Sequence, residues 1–214
     1  MGSAGAQVLP LVGTETHPEV LLKNGSSYVI LTENLRLTQG TLIGFSFRTC
    51  LSSGELLRQI GNSNDLLTLS LTQTGGVLLT LESGEDRRSL EAGSNLADGT
   101  WHTVRLGVSL NLTTVCLSVD GVGPDTECTQ PRTGPTVVTQ TSETTVSRLE
   151  NAETLLSSLN LSGSSSQVRV GSGLVGCLRQ GPGLRFTEGR VADFSGVEWA
   201  PCVMPDTCAG GTRV

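Results

Sequence analysis

The sequence predicts an all-β sandwich or barrel. Apolar residues recur with a period of two rather than 3.6, and Gly, Asn, Asp and Ser bound the runs that carry them. Only 3% of residues are aromatic, so Leu and Val must fill the core. The 214 residues suffice for one sizeable domain with appendages.

In chain order, "SYVILTENLRL" and "TLIGFSFRT" alternate first. In "DLLTLSLTQTGGVLLTLESG", Leu67, Leu69 and Leu71 alternate with Thr68, Ser70 and Thr72. Gly75-Gly76 turns the chain, and Val77, Leu79 and Leu81 return with the same period, which predicts a β-hairpin with one face inward. "WHTVRLGVSL" repeats the pattern, and "TTVCLSVDGVG" ends at Asp120-Gly121, a strong turn pair. "SQVRVGSGLVGCLRQ" supplies one or two further strands. From about Thr129 to Gln167, Ser, Thr, Gly and Pro dominate, which reads as an exposed insertion. Within it Val146, Leu149, Ala152, Leu156 and Leu159 have helical spacing, and Ser147-x-x-Glu150 has the form of a capping box. A short helix is predicted there; the alternative is a loose loop whose hydroxyls carry O-glycans.

Fourteen basic and twenty acidic side chains give a net charge of −6. No basic run is long enough to track phosphates, so nucleic acid is excluded as a partner. No apolar run reaches the ~20 residues of a membrane-spanning helix, so this segment is not expected to insert in a membrane. The start, "MGSAGAQVLPLVG", lacks the plan of a signal peptide, so the chain is either cytosolic or a piece of a larger secreted protein, and the cysteines argue for the second. The six cysteines (Cys50, Cys116, Cys128, Cys177, Cys202 and Cys208) form no C-x-x-C pair, which favours disulfides over zinc. Sequons at Asn24, Asn111 and Asn160 agree with an extracellular setting. Cys116 and Cys128 flank the Asp120-Gly121 turn and can face each other across it. Cys50 and Cys208 remain unassigned: they pair with each other, or Cys208 belongs to a following module.

Trp101 and His102, in "ADGTWHTVRL", invite a catalytic or sugar-stacking reading. A histidine base needs a nucleophile or carboxylate partner, and the nearby acid is Asp98. The simpler expectation has Asp98-Gly99 turning into a strand, Trp101 packed at one end of the core, and His102 partly solvated on the alternate face. The acidic cluster Glu82, Glu85 and Asp86 sits beside a Gly turn and two arginines, as a solvated hairpin tip would. No nucleophile motif accompanies it, so no enzyme and no catalytic residue is expected.

The ordered phrases "GFSFRTCLSSGELL", "NDLLTLSLTQTGGVLLTL", "LADGTWHTVRL", "LSVDG" and "VRVGSGLVGCLRQ" resemble those of laminin G-like domains from about Tyr28 to Cys202. The resemblance implies a jelly-roll sandwich of two antiparallel sheets. It divides the chain into a flank at 1–17, one domain at 18–202 with its insertion at about 129–167, and a tail at 203–214 that fits entry into an EGF-like module. Such domains alternate with EGF-like repeats in neurexins, agrin, Slits, Crumbs proteins and seven-pass cadherins; a Crumbs-like ectodomain is the parent suggested. The resemblance implies a Cys177–Cys202 disulfide. It also implies a calcium ligand at Asp65, with Asn151, Asn160, Asp120 and Asp125 as candidates for the second ligand. A lone aspartate in a turn before a strand is the competing reading. The implied role is an extracellular recognition or adhesion module that binds a protein or glycan through its loop rim. The alternatives are a structural spacer and a carrier of a small apolar ligand.

Overall fold

A computed structural model describes residues 19–61, 63–121, 145–163, 166–187, 189–203 and 208. Its strands in chain order are β1 (Glu19–Leu22), β2 (Tyr28–Leu31), β3 (Leu42–Thr49), β4 (Gly54–Ile60), β5 (Leu66–Leu71), β6 (Val77–Ser83) and β7 (Asp86–Ala92). They continue with β8 (His102–Val108), β9 (Val115–Val119), β10 (Thr145–Leu149), β11 (Gln167–Val170), β12 (Gly176–Arg179), β13 (Val191–Ser195) and β14 (Val197–Glu198). One short helix, α1 (Glu153–Ser158), lies between β10 and β11. Two antiparallel seven-stranded sheets result. Sheet A has the order β10-β9-β8-β3-β12-β1-β14, and sheet B the order β13-β2-β11-β4-β5-β6-β7. No described helix is long and apolar enough to cross a membrane.

Strand parity builds the core. Along β5, Leu67, Leu69 and Leu71 are buried, while Leu66, Thr68 and Ser70 face outward and are partly exposed. β6 answers from the next strand with Val77, Leu79 and Leu81, and Gly75 at φ +75° makes the turn between them. From sheet A, Ile43, Phe45 and Phe47 of β3 and Val104, Leu106 and Val108 of β8 meet them in one buried cluster. Each fully buried Leu or Phe side chain contributes roughly 1.5–3 kcal/mol. The charged strand β7 closes sheet B, where its alternating Arg, Ser and Glu discourage edge-to-edge pairing.

The helical spacing in the insertion is only partly realised. Val146 and Leu149 lie on strand β10, which pairs with β9 over five residue positions; the backbone bonds offered by the β9 edge outweigh a helix there. Asn151 at φ +54° redirects the chain, and α1 starts only at Glu153. The capping box does not form. Ala152 is the N-cap without a side-chain bond, Ser147 donates to the Glu91 carbonyl, and Glu150 accepts from the Thr114 hydroxyl at 2.8 Å. Leu155 and Leu156 fix the helix to the core.

Candidate functional site

The titratable residues gather where the turn before β8 meets the turn after β9. β8 buries His102, Val104 and Leu106 in phase, so His102 faces inward and is 8% exposed. The expected solvation of His102 is therefore reversed. Trp101, one position out of phase, is half-buried and lies outside the core cluster to which it was assigned. The Arg179 guanidinium covers its ring at 4.2 Å, and Arg179 also pairs with Glu19 (Nε to Oε1, 2.9 Å), which accepts the Cys202 N–H at 2.7 Å.

His102 packs against Phe47 with ring centroids 5.7 Å apart. Its Nδ1 lies 2.7 Å from Asp120 Oδ2, and its Nε2 lies 3.0 Å from Asp98 Oδ1 and 3.3 Å from the Thr100 hydroxyl. Thr100, His102 and Asp120 thus have the outline of a nucleophile, base and orienting acid. The chemistry is blocked because Thr100 donates its hydroxyl hydrogen to Asp98 Oδ1 at 2.8 Å, and that same carboxylate faces the ring nitrogen a base would use. Burial works against the charge of Asp98, but the Thr100 N–H, the Thr100 hydroxyl and His102 outweigh it and hold the carboxyl below its ordinary value. The cluster staples two turns together.

The same turn carries a disulfide. Cys50 is joined to Cys208 with 5.4 Å between Cα atoms, and a side chain at Gly99 (φ +80°) would meet the Cys208 sulfur at 2.9 Å. Sequence spacing left this pair open. Cys177 is joined to Cys202 with 6.0 Å between Cα atoms. Cys116 is disulfide-bonded; the expected partner Cys128 lies outside the described residues, as does Asp125.

Asp65 closes the β4–β5 turn and is 3% exposed. Its carbonyl accepts the Gly61 N–H at 2.7 Å, and its carboxylate Oδ2 accepts the Asn160 N–H at 2.6 Å. Asn160 sits so close that a Cβ at Gly61 would lie 2.0 Å from its carbonyl oxygen. Gln59, fully buried, clamps the same loop: its amide accepts from Leu35 N–H at 2.9 Å and donates to the Leu161 carbonyl and Ser166 hydroxyl. Of the candidate second ligands, Asn160 comes to Asp65 through its backbone, while Asp120 is tied to His102 and Asn151 marks the β10–α1 break. No group of three or more His, Cys, Asp or Glu that could hold a metal occurs among the described residues. Calcium takes six to eight oxygens. One buried carboxylate with an oxygen already engaged by an N–H does not fit that requirement, so no role is derived through calcium.

The sequon asparagines are exposed and lie outside the strands. Each side-chain oxygen accepts from the third residue of its own tripeptide: Asn24 from Ser26 N–H at 2.9 Å, Asn111 from Thr113 hydroxyl at 2.8 Å and Asn160 from Ser162 N–H at 3.2 Å. Glu82 pairs with Arg87 and Asp86 with Arg88 around the β6–β7 turn.

Residues 47–180 match the laminin G domain pattern. The chain belongs to the laminin G domain family. The fold agrees with solved laminin structures. It superposes on the LG1-3 region of the laminin alpha2 chain with a TM-score of 0.61 at 15% identity, covering 88% of this chain and 35% of that one. On domains LG4-5 of the mouse laminin alpha1 chain the TM-score is 0.56 at 20% identity, covering 88% of this chain and 49% of that one. This laminin G domain therefore spans about a third to a half of the laminin chains it matches.

Proposed function

We propose that this laminin G domain is a non-enzymatic recognition and adhesion module of a larger extracellular protein, binding a protein or glycan partner. The observation that carries this reading is the state of the Asp98–His102–Asp120 cluster. The residues best suited to catalysis are committed to holding two turns, which leaves surface complementarity as the means of action. The disulfides support an oxidising compartment. Calcium is not part of this proposal.

The test uses the 214-residue chain, secreted from a eukaryotic host and purified. Binding is measured on a glycan array and, by flow cytometry, on cell surfaces before and after protease treatment. Saturable binding to one of the two surfaces is expected. A correctly melting protein that binds neither would replace the recognition role with that of a spacer.

A further inference from the structure

The Cys50–Cys208 bond ties the end of β3 to the C-terminal segment, and the hydrogen bonds that shape its surroundings do not involve it. The turn at 97–101 packs on the two sulfurs, yet its own bonds run elsewhere. Gly99 donates its N–H to the Thr49 carbonyl at 3.0 Å and accepts from Arg48 Nε at 2.5 Å. Asp98 accepts the Thr100 N–H at 2.7 Å, and Thr49 donates its hydroxyl to the Val175 carbonyl at 2.7 Å. All of these persist when the sulfurs part. Cys208 differs: among the described residues it is bonded to the sandwich through its sulfur alone. The Thr49 and Ala97 carbonyl oxygens lie 3.9 and 3.6 Å from that sulfur, and a disulfide has no hydrogen to give them.

Thiol–disulfide exchange needs an open path to a sulfur. Cys50 and Cys208 are both partly exposed, whereas Cys177 and Cys116 are fully buried. Gly99 lies so close to the Cys50–Cys208 bond that a Cβ there would stand 2.9 Å from the Cys208 sulfur and 3.5 Å from the Cys50 sulfur. Glycine at that point leaves the bond without a covering side chain.

The second disulfide makes such an opening reversible. Cys177 is buried on β12, so Cys202 stays joined to it while Cys50–Cys208 opens, and the Cys202 N–H stays on Glu19 at 2.7 Å. Cys208 lies six residues beyond Cys202, so the chain lets it stray by at most about 20 Å. Cys50 is fixed at the end of β3. The two freed thiols therefore keep a high effective concentration for each other.

We infer that Cys50–Cys208 is a thiol–disulfide exchange site, opened by a dithiol and closed again within the folded domain. This goes beyond the recognition role and does not depend on it. One thiolate of the dithiol attacks the Cys208 sulfur. The old S–S bond breaks and its electron pair leaves on Cys50, because the Thr49 and Ala97 carbonyl oxygens oppose negative charge on Cys208. The second sulfur of the dithiol then attacks the first and expels Cys208 as a thiolate. The dithiol is oxidised to a disulfide, and the two reduced cysteines take up its two protons. Opening the bond frees the chain beyond Cys202 from its attachment to β3.

The test treats the oxidised 214-residue chain with dithiothreitol or with reduced thioredoxin, alkylates it at intervals and maps the cysteines by mass spectrometry. Cys50 and Cys208 should label together at least tenfold faster than Cys177, Cys202 and Cys116. The labelled protein should still melt cooperatively, at a lower temperature. Unlabelled reduced protein returned to oxidised glutathione should reclose the same bond, tenfold or more slowly in the Cys177→Ser/Cys202→Ser variant. Reaction with thioredoxin as well as dithiothreitol upholds the site for protein-borne dithiols, and reaction with dithiothreitol alone upholds it for small ones. Labelling of all five cysteines at one rate, or of Cys177 and Cys202 first, overturns it. Loss of the melting transition once Cys50 and Cys208 are labelled also overturns it, because the bond is then a structural staple. Reclosure of the variant at the parent rate overturns the return step.

Discussion

At the residue scale, His102 decides how the "DGTWH" stretch is understood. Its parity with Val104 and Leu106 places the side chain on the core face, a signal that the expectation of a partly solvated ring passed over. What the sequence concealed was Asp120, eighteen residues away, which reaches the ring only because β8 and β9 pair. The staple makes a pH prediction through Asp98. A carboxyl held below its ordinary value of 3.8 adds stability above that value and loses it as pH falls through the lower, folded one. Thermal melts of the parent and Asp98→Asn should therefore differ most near neutrality and converge as pH falls below the ordinary carboxylate range. Asp65 gives the second test. As a tether for the Asn160 loop it should resist calcium: the melting temperature should be the same in EDTA and in millimolar calcium, and Asp65→Ala should lower it in both. A calcium-dependent rise that Asp65→Ala abolishes would reinstate the metal.

At the scale of elements, pattern reading found strands that alternate strongly and missed those that do not. β5, β6, β8 and β9 announce themselves. The acidic cluster is the expected hairpin tip, with Ser83 opposite Asp86, but the strand β7 that leaves it reads "DRRSLEA" and has no apolar alternation to announce it. β10 was hidden because Val146 and Leu149 satisfy a helical spacing in sequence while β9 supplies the partner in space. Gln59 could not be recognised either: a polar residue inside an alternating strand looks like a register error, yet it bonds two irregular loops. Gln59→Leu keeps the volume but strands the Leu35 N–H and the Leu35 carbonyl, while the Leu161 carbonyl keeps the Ser166 hydroxyl. It should cost about 2–6 kcal/mol in urea unfolding, since each of the two buried unpaired groups costs about 1–3; a loss under 1 kcal/mol would mean that water replaces the amide.

At the scale of the whole molecule, two cross-links bracket the C-terminal segment. Cys50–Cys208 spans 158 residues and Cys177–Cys202 spans 25. Chain-entropy reasoning predicts a loss of about 5 kcal/mol for the Cys50→Ser/Cys208→Ser variant and about 3.5 for Cys177→Ser/Cys202→Ser. Denaturant unfolding checks the order; the reverse order would show that the tail contributes through packing instead. The sandwich itself was readable from period and turns, and the ordered phrases named its family, whereas the Cys50–Cys208 link was not readable, because only the folded turn at Gly99 brings the two sulfurs together. That link also sets how the domain bears load. Tension on the chain at Cys208 passes covalently to Cys50, at the end of β3, which is an interior strand flanked by β8 and β12. β13 and β14, at the sheet margins where strands peel one bond at a time, are bypassed. An oxidised molecule is a stiff link that must shear through the middle of sheet A to yield, and reduction of both disulfides reroutes the same pull to the margins.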